Sequence, residues 1–114
     1  MDKSFEFSLK IIEVYKEMIN RHEYVISKQV LRSGTSIGAN INEAQAAQSR
    51  KDFISKMSIA SKEARETKYW LNLLSKSQLI PKMNEQITSL LHEIDDIINI
   101  LTKIVKTSSG NLPK

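Results

Sequence analysis

The sequence predicts an all-α protein, an up-down-up-down antiparallel four-helix bundle. Apolar residues recur with the helical period in four long segments, at about residues 4–20, 23–48, 50–76 and 81–107. Glycine and proline total only five residues, too few for the many tight turns of a β-rich fold. The segments are joined by short connections, and short connections make sequential helices antiparallel neighbours.

The first segment carries apolar residues on two nearly opposite faces. One stripe comprises Phe5, Leu9, Ile12 and Ile19, and the other comprises Phe7, Ile11, Val14 and Met18. We expect Ser4 to be the N-cap, since a serine side chain can accept a hydrogen bond from the first helical turn. A helix on the surface of a bundle needs only one apolar stripe, so the second stripe requires a further partner.

The second segment keeps one apolar stripe straight through two glycines, which favours one continuous helix over a loop. Each interior glycine costs about 1 kcal/mol relative to alanine, so the pair needs a structural reason. Gly34 and Gly38 lie one turn apart beside the core stripe. We expect a neighbouring helix to approach closely there. A phosphate-binding loop is disfavoured, because Gly38 is followed by Ala39 and Asn40 rather than by lysine and a hydroxyl residue.

The third segment begins at Ser49, a predicted N-cap with Asp52 in a capping-box position. Its core stripe comprises Phe53, Met57, Ala60, Ala64 and Leu71. The other side carries a second apolar surface that comprises Ile59, Tyr69, Trp70 and Leu73. The fourth segment begins near Pro81 and has one apolar stripe. Residues 1–107 are therefore predicted to form a single domain, with 108–114 as a flexible tail.

The spare apolar faces of the first and third helices predict a homo-oligomer, because exposed apolar patches usually mark association sites. The predicted interface on the third helix comprises Ile59, Tyr69, Trp70 and Leu73. In the alternative, the bundle is splayed and its first helix is simply buried more deeply.

Positive charge is concentrated in one quarter of the chain. Residues 49–82 hold eight Lys or Arg against three Asp or Glu, a net charge of +5, whereas the whole chain carries +4. The candidate nucleic-acid-binding residues are Arg50, Lys51, Lys62, Arg65, Lys68 and Lys76. Cations at this helical spacing can neutralise backbone phosphates without reading a sequence. The alternative is an ordinary solvated helix face.

The sequence offers no recognisable catalytic or metal site, so we expect neither an enzyme nor a cofactor. Cysteine is absent, which excludes disulfides and thiolate ligands. Neither histidine has a glutamate three residues before it, as a carboxylate-bridged dimetal bundle would need. His92 and Asp96 share one helix face, but two ligands are a weak signal. Neither a signal-peptide core nor a membrane-length apolar run is present, so we expect a cytoplasmic protein with no membrane partner.

Two stretches of the sequence are distinctive. RSGTSIGAN at residues 32–40 and KEARETKYW at residues 62–70 closely resemble the bacterial 23S rRNA-intervening sequence protein family. The resemblance implies a four-helix bundle that assembles as a ring-shaped homopentamer. It also implies kinship to the accessory variability protein of diversity-generating retroelements, a basic pentamer that binds nucleic acid and a reverse transcriptase. It supplies no catalytic residues.

These observations favour a non-enzymatic, oligomeric protein that associates with structured RNA or another nucleic acid through the third helix. The alternative is a protein–protein assembly adaptor with no direct nucleic-acid binding. Charge placement distinguishes the two, since a continuous positive surface favours nucleic acid. Cations interspersed with Glu63 and Glu66 would instead favour a protein partner.

Overall fold

The computed structural model describes residues 3–110 and has four α-helices, with a short 3₁₀ turn before the last. The helices are α1 (Lys3–Asn20), α2 (Ile26–Gln45), α3 (Arg50–Ser77) and α4 (Asn84–Gly110), and the 3₁₀ turn is Pro81–Met83. No strand occurs within residues 3–110. The predicted all-α class is confirmed.

The helices pack in cyclic order, α1 on α2, α2 on α3, α3 on α4, and α4 back onto α1. Neighbouring helices are antiparallel, since residue numbers rise along one helix as they fall along its partner. Lys3 pairs with Asp96, for example, while Lys10 pairs with Glu93. The topology is therefore up-down-up-down, as predicted. Packing is least extensive between α1 and α4, so the bundle is most open along that seam.

One face of each helix forms the core, and on α1 this is the stripe containing Phe7 and Ile11, both fully buried. The other α1 stripe faces outward, since the side chains of Phe5 and Leu9 are 47% and 50% exposed. The core contributions of the remaining helices include Val30, Ile37, Met57, Ala64, Leu71, Ile87, Ile94 and Leu101. Each helix thus meets the requirement for one buried stripe, and α1 keeps a second that the bundle does not cover.

The start of α2 lies three residues later than predicted. The carboxylate of Glu23 accepts hydrogen bonds from the backbone N–H groups of Ile26 at 3.0 Å and Ser27 at 2.7 Å. Glu23 therefore caps the helix from outside and does not form its first residue. At the other end, α2 stops at Gln45 rather than residue 48, because the Ala46 and Ala47 N–H groups turn to carbonyls three residues back.

Two other predicted helix boundaries differ from the structure, and the predicted N-cap of α3 is confirmed. Ser4 is not an N-cap but a buried residue inside α1, which begins at Lys3. Helix α4 extends to Gly110, so residues 108–110 of the predicted tail are helical, and 111–114 lie outside the described residues. Nothing in Ser108 or Ser109 interrupts the helix. The Ser49 side chain accepts a hydrogen bond from Asp52 N–H at 3.0 Å, the expected cap of α3.

Helix α1 approaches α2 closely at the two glycines. A Cβ atom placed on Gly34 would lie 2.9 Å from both Cγ1 and Cγ2 of Ile11. Ile11 is fully buried and β-branched, so its side chain has little freedom to move aside. At Gly38 a Cβ would lie 3.2 Å from the Ser8 hydroxyl and 3.4 Å from the Ser4 carbonyl oxygen. Of the two glycines, Gly34 therefore has the less room for a side chain.

We predict that Gly34→Ala destabilises the protein by about 1 kcal/mol, because overpacking outweighs the gain in helix propensity. In an Ile11→Ala background the atoms that overlap are absent, so the same change should stabilise. Gly38→Ala is the matched control and should stay within about 0.5 kcal/mol of wild type. Urea unfolding of the four variants measures the coupling. An equal destabilisation in both backgrounds would contradict the assignment.

Candidate nucleic-acid interface and assembly surface

The six candidate cations of α3 differ in their contacts. Lys68 pairs with Asp95 on α4, with its Nζ 2.7 Å from the carboxylate oxygen. Arg65 donates a hydrogen bond to the Thr102 hydroxyl at 3.1 Å, which leaves its charge without a counterion. Within residues 3–110, Lys51, Lys62 and Lys76 form no ion pair or hydrogen bond. Arg50 is the first residue of α3.

Four of these cations share one outward strip of α3. At 100° per residue, Lys51, Lys62, Arg65 and Lys76 fall within about 60° of one another, and we call these four residues the cationic strip. At 1.5 Å per residue the strip is about 37 Å long. No Asp or Glu occupies the same arc of the helix. Within this arc the charged side chains of α3 are therefore all positive.

The carboxylates nearest to the strip turn away from it, toward α2. The guanidinium of Arg32 contacts Glu66 through Nη2 and lies 3.5 Å from Glu63 through Nη1. The Trp70 indole N–H donates to the same Glu66 oxygen at 3.0 Å. One carboxylate thus binds a cation from α2 and an aromatic side chain from its own helix. We call Arg32, Glu63, Glu66 and Trp70 the Glu66 cluster.

The electrostatics of the Glu66 cluster favour a charged carboxylate. The pKa of Glu66 lies below its ordinary value of 4.5, chiefly because the Trp70 indole donates a hydrogen bond to the carboxylate. The charges of Arg32 and Lys62 act in the same direction, and desolvation opposes them. Glu66 therefore remains an anion, and its charge is directed to the α2–α3 junction.

Trp70 connects the Glu66 cluster to the exposed side of α3. It is half-buried against the core, and its ring makes an edge-to-face contact with Tyr69, with centroids 5.2 Å apart and planes at 76°. Tyr69 is 58% exposed. By helical position Tyr69 lies in the arc of the cationic strip. The indole thus supports an aromatic ring that stands among unpaired cations.

The four predicted interface residues of α3 do not share one surface. Ile59 and Leu73 are partly exposed and lie along one ridge of α3, about 21 Å apart, with Glu66 midway between them. Tyr69 lies beside the ridge, toward the cationic strip, and Trp70 is turned into the bundle. We call Ile59 and Leu73 the α3 ridge.

A second exposed apolar surface lies on α1. Phe5, Leu9 and Ile12 border a groove of about 630 Å³ between α1 and α2, and we call these three residues the α1 patch. The α2 side of the groove is formed by Thr35, Gly38, Ala39 and Asn42. The chain therefore exposes apolar side chains on two different helices, at the α1 patch and at the α3 ridge.

Sequence reasoning did not identify Arg32 as part of this region. Its partners lie 31 and 34 residues further along the chain, so no local pattern joins them. A signal was present, since Arg32 opens the RSGTSIGAN stretch and both glutamates lie in KEARETKYW. Glu63 and Glu66 contact Arg32 within the same chain.

Two other kinds of feature, a metal-ion site and a membrane-spanning helix, were sought in the described part of the chain. No group of three His, Asp or Glu side chains there is placed to hold a metal ion. None of its helices is long and apolar enough to cross a membrane.

Comparisons with known proteins agree with this architecture. The family model for the 23S rRNA-intervening sequence protein matches residues 1–103. The chain is also similar to a crystal structure from Bacteroides thetaiotaomicron, a protein of unknown function from the S23 ribosomal protein family. The two share 52% sequence identity and a TM-score of 0.86, over 92% of this chain and 96% of the other. No match is found among curated proteins.

We predict that Glu66→Gln destabilises the protein by about 1 kcal/mol at neutral pH, because glutamine loses the charge that Arg32 and Trp70 bind. A lowered pKa means that the charged form adds stability above pH 4.5, and this stability is lost as the pH falls through the folded-state pKa. The difference between wild type and variant should therefore shrink in acid.

Urea unfolding of both proteins at neutral pH and at about pH 3 measures this change. Glu43→Gln is the control, since Glu43 also pairs across α2 and α3 but only at 3.9 Å from Lys56 and largely in solvent. It should change stability little at either pH. A Glu66→Gln difference that is independent of pH would show that the charge does not matter.

Proposed function

The chain belongs to the 23S rRNA-intervening sequence protein family, and from this premise we propose that it is a non-enzymatic, homo-oligomeric, RNA-associated protein of the bacterial cytoplasm. The observation that carries the proposal is the cationic strip. Its four side chains lack carboxylate partners within the described residues. They are thus available to phosphates.

The direction of the neighbouring carboxylates supports nucleic acid over a protein partner. Glu63 and Glu66 are bound to Arg32, and Glu66 also to Trp70, so they do not break up the strip. A polyanion therefore meets an uninterrupted row of positive charge, which attracts it at long range. An adaptor that binds another protein, such as a reverse transcriptase, would occupy this row of cations less completely, because protein surfaces rarely present evenly spaced anions.

Binding through four phosphate contacts alone is weak and sensitive to salt, since its free energy comes largely from counterion release. Assembly would strengthen it. In a ring each subunit adds one strip, and simultaneous contacts raise the effective concentration of the next strip. Oligomerisation is thus part of the binding mechanism under this proposal, not a separate property.

The two apolar surfaces suit a ring. The α1 patch and the α3 ridge are different surfaces on different helices, and contact between unlike surfaces produces head-to-tail assemblies, which close when the rotation permits. The homopentamer that the family resemblance implies is such a closed ring. We therefore propose that the α1 patch of one subunit packs on the α3 ridge of the next.

Charge reversal tests RNA binding. We predict that Lys62→Glu combined with Lys76→Glu weakens binding to a stem-loop RNA by at least about tenfold at low salt, and lowers the slope of log affinity against log salt by about 1.5. Lys28→Glu combined with Lys103→Glu removes the same charge from exposed positions on α2 and α4, and should have a much smaller effect. Filter binding across a salt series measures both. Wild-type protein that binds neither RNA nor DNA at low salt would refute the proposal.

A charge in the α1 patch tests assembly. We predict that Leu9→Glu shifts the protein from oligomer to monomer, because burying an unpaired carboxylate at an apolar contact is unfavourable. Leu79→Glu is the matched control, since Leu79 is a leucine of the same 50% exposure in the α3–α4 connection. Light scattering gives the masses, and circular dichroism checks that both variants remain folded. Equal masses for the two variants would exclude the α1 patch as the interface.

A further inference from the structure

Tyr69 is the most exposed aromatic side chain in the described part of the chain, and it stands inside the cationic strip. A solvent-exposed ring has no role in the core, and its arc on α3 lies beside the α3 ridge rather than on it. Arg65 is one helical turn away on the same face. Lys62 and Lys76 are each seven residues away, or about 10 Å along the axis on either side.

The Tyr69 ring is held in place from behind. Its edge-to-face contact with Trp70 fixes one side, and the Trp70 indole is itself anchored by the hydrogen bond to Glu66. Arg32 holds that carboxylate from α2. A chain of contacts therefore orients the ring before any ligand arrives, which lowers the entropy lost on binding.

An aromatic ring flanked by cations is the arrangement that binds unpaired nucleotides. Bases stack on the ring face, while the phosphates on either side meet Lys or Arg. A duplex cannot use the ring, because its bases are already stacked against one another. Nor can α3 enter a duplex groove, since α2 and α4 flank it within a bundle about 24 × 22 Å across, and the major groove of A-form RNA is deep and narrow.

We propose that Tyr69 is a stacking platform for an unpaired base, so that the cationic strip takes single-stranded segments of RNA in preference to duplex. This rests on the proposed function, because it assigns a ligand class to the same strip. The flanking cations, Arg65 on one side and Lys76 on the other, hold the phosphates of the stacked nucleotide and its neighbour. Stacking accepts any base, so the site selects for strand state and not for sequence.

The test compares three substitutions at Tyr69 using fluorescence anisotropy with a short oligo(A) RNA and with an RNA duplex of equal phosphate number. Tyr69→Leu keeps apolar bulk but loses the ring face, and should weaken single-strand binding by about 5- to 100-fold while changing duplex binding less than about twofold. Tyr69→Phe keeps the ring and should bind like wild type. Tyr69→Ala should resemble the leucine variant.

Tyr24→Leu is the matched control, since Tyr24 is a half-exposed tyrosine in the α1–α2 connection and not part of the strip on α3. It should bind both RNAs like wild type. Trp70 gives a second readout, because it is the only tryptophan and its ring touches Tyr69. Its emission should respond to the single strand in wild type and Tyr69→Phe, and respond weakly in Tyr69→Leu.

The outcomes separate this inference from the proposed function. If Tyr69→Leu binds the single strand like wild type while Lys62→Glu with Lys76→Glu does not, stacking is wrong and RNA association stands. If wild type binds neither RNA, both are wrong. If light scattering shows that Tyr69→Leu or Tyr69→Ala dissociates the oligomer, Tyr69 is an interface residue and the stacking role is overturned.

Discussion

The carboxylate of Glu66 is the contact on which the arrangement of the outer side chains of α3 depends. It accepts the Trp70 indole and binds Arg32 from the neighbouring helix, so it joins α2 to α3 at mid-length. The same bonds direct its carboxylate toward α2 and hold Trp70 against Tyr69. The charge of Lys62 still acts on this carboxylate, so the Glu66 cluster borders the row of cations on α3. One polar contact thus supports both packing and surface charge.

The bundle separates its surfaces by helix. Each helix needs one buried stripe. On α1 this stripe includes Phe7 and Ile11, and on α3 it is the alanine-rich stripe. The outward faces of the helices are not needed for the core, so they can differ from helix to helix. Helix α1 keeps an apolar patch, whereas α3 divides its outer surface between a short ridge and a row of cations. A small fold can in this way carry an apolar surface and a cationic surface on different helices, since neither intrudes on the core.

The sequence specified the features that depend on local or periodic patterns. Ser49 was predictable because its capping bond is made within four residues, and the core stripes because the helical period repeats over many turns. The start of α2 was not predictable, since Glu23 caps α2 from outside the helix. Its role depends on the path of the connection between α1 and α2. Arg32 was missed because its partners are distant in sequence. The separation of Tyr69 from Trp70 depends on which side of α3 faces α2, and only packing decides that.

The contact between Gly34 and Ile11 also constrains how this sequence can change over evolutionary time. The two positions lie on different helices, yet each limits the other: while isoleucine occupies position 11, a Cβ atom at position 34 would overlap its side chain. A smaller residue acquired first at position 11 removes this overlap, whereas alanine acquired first at position 34 produces an overpacked and less stable intermediate. Geometry thus favours one order of substitutions, and the two positions should covary among relatives.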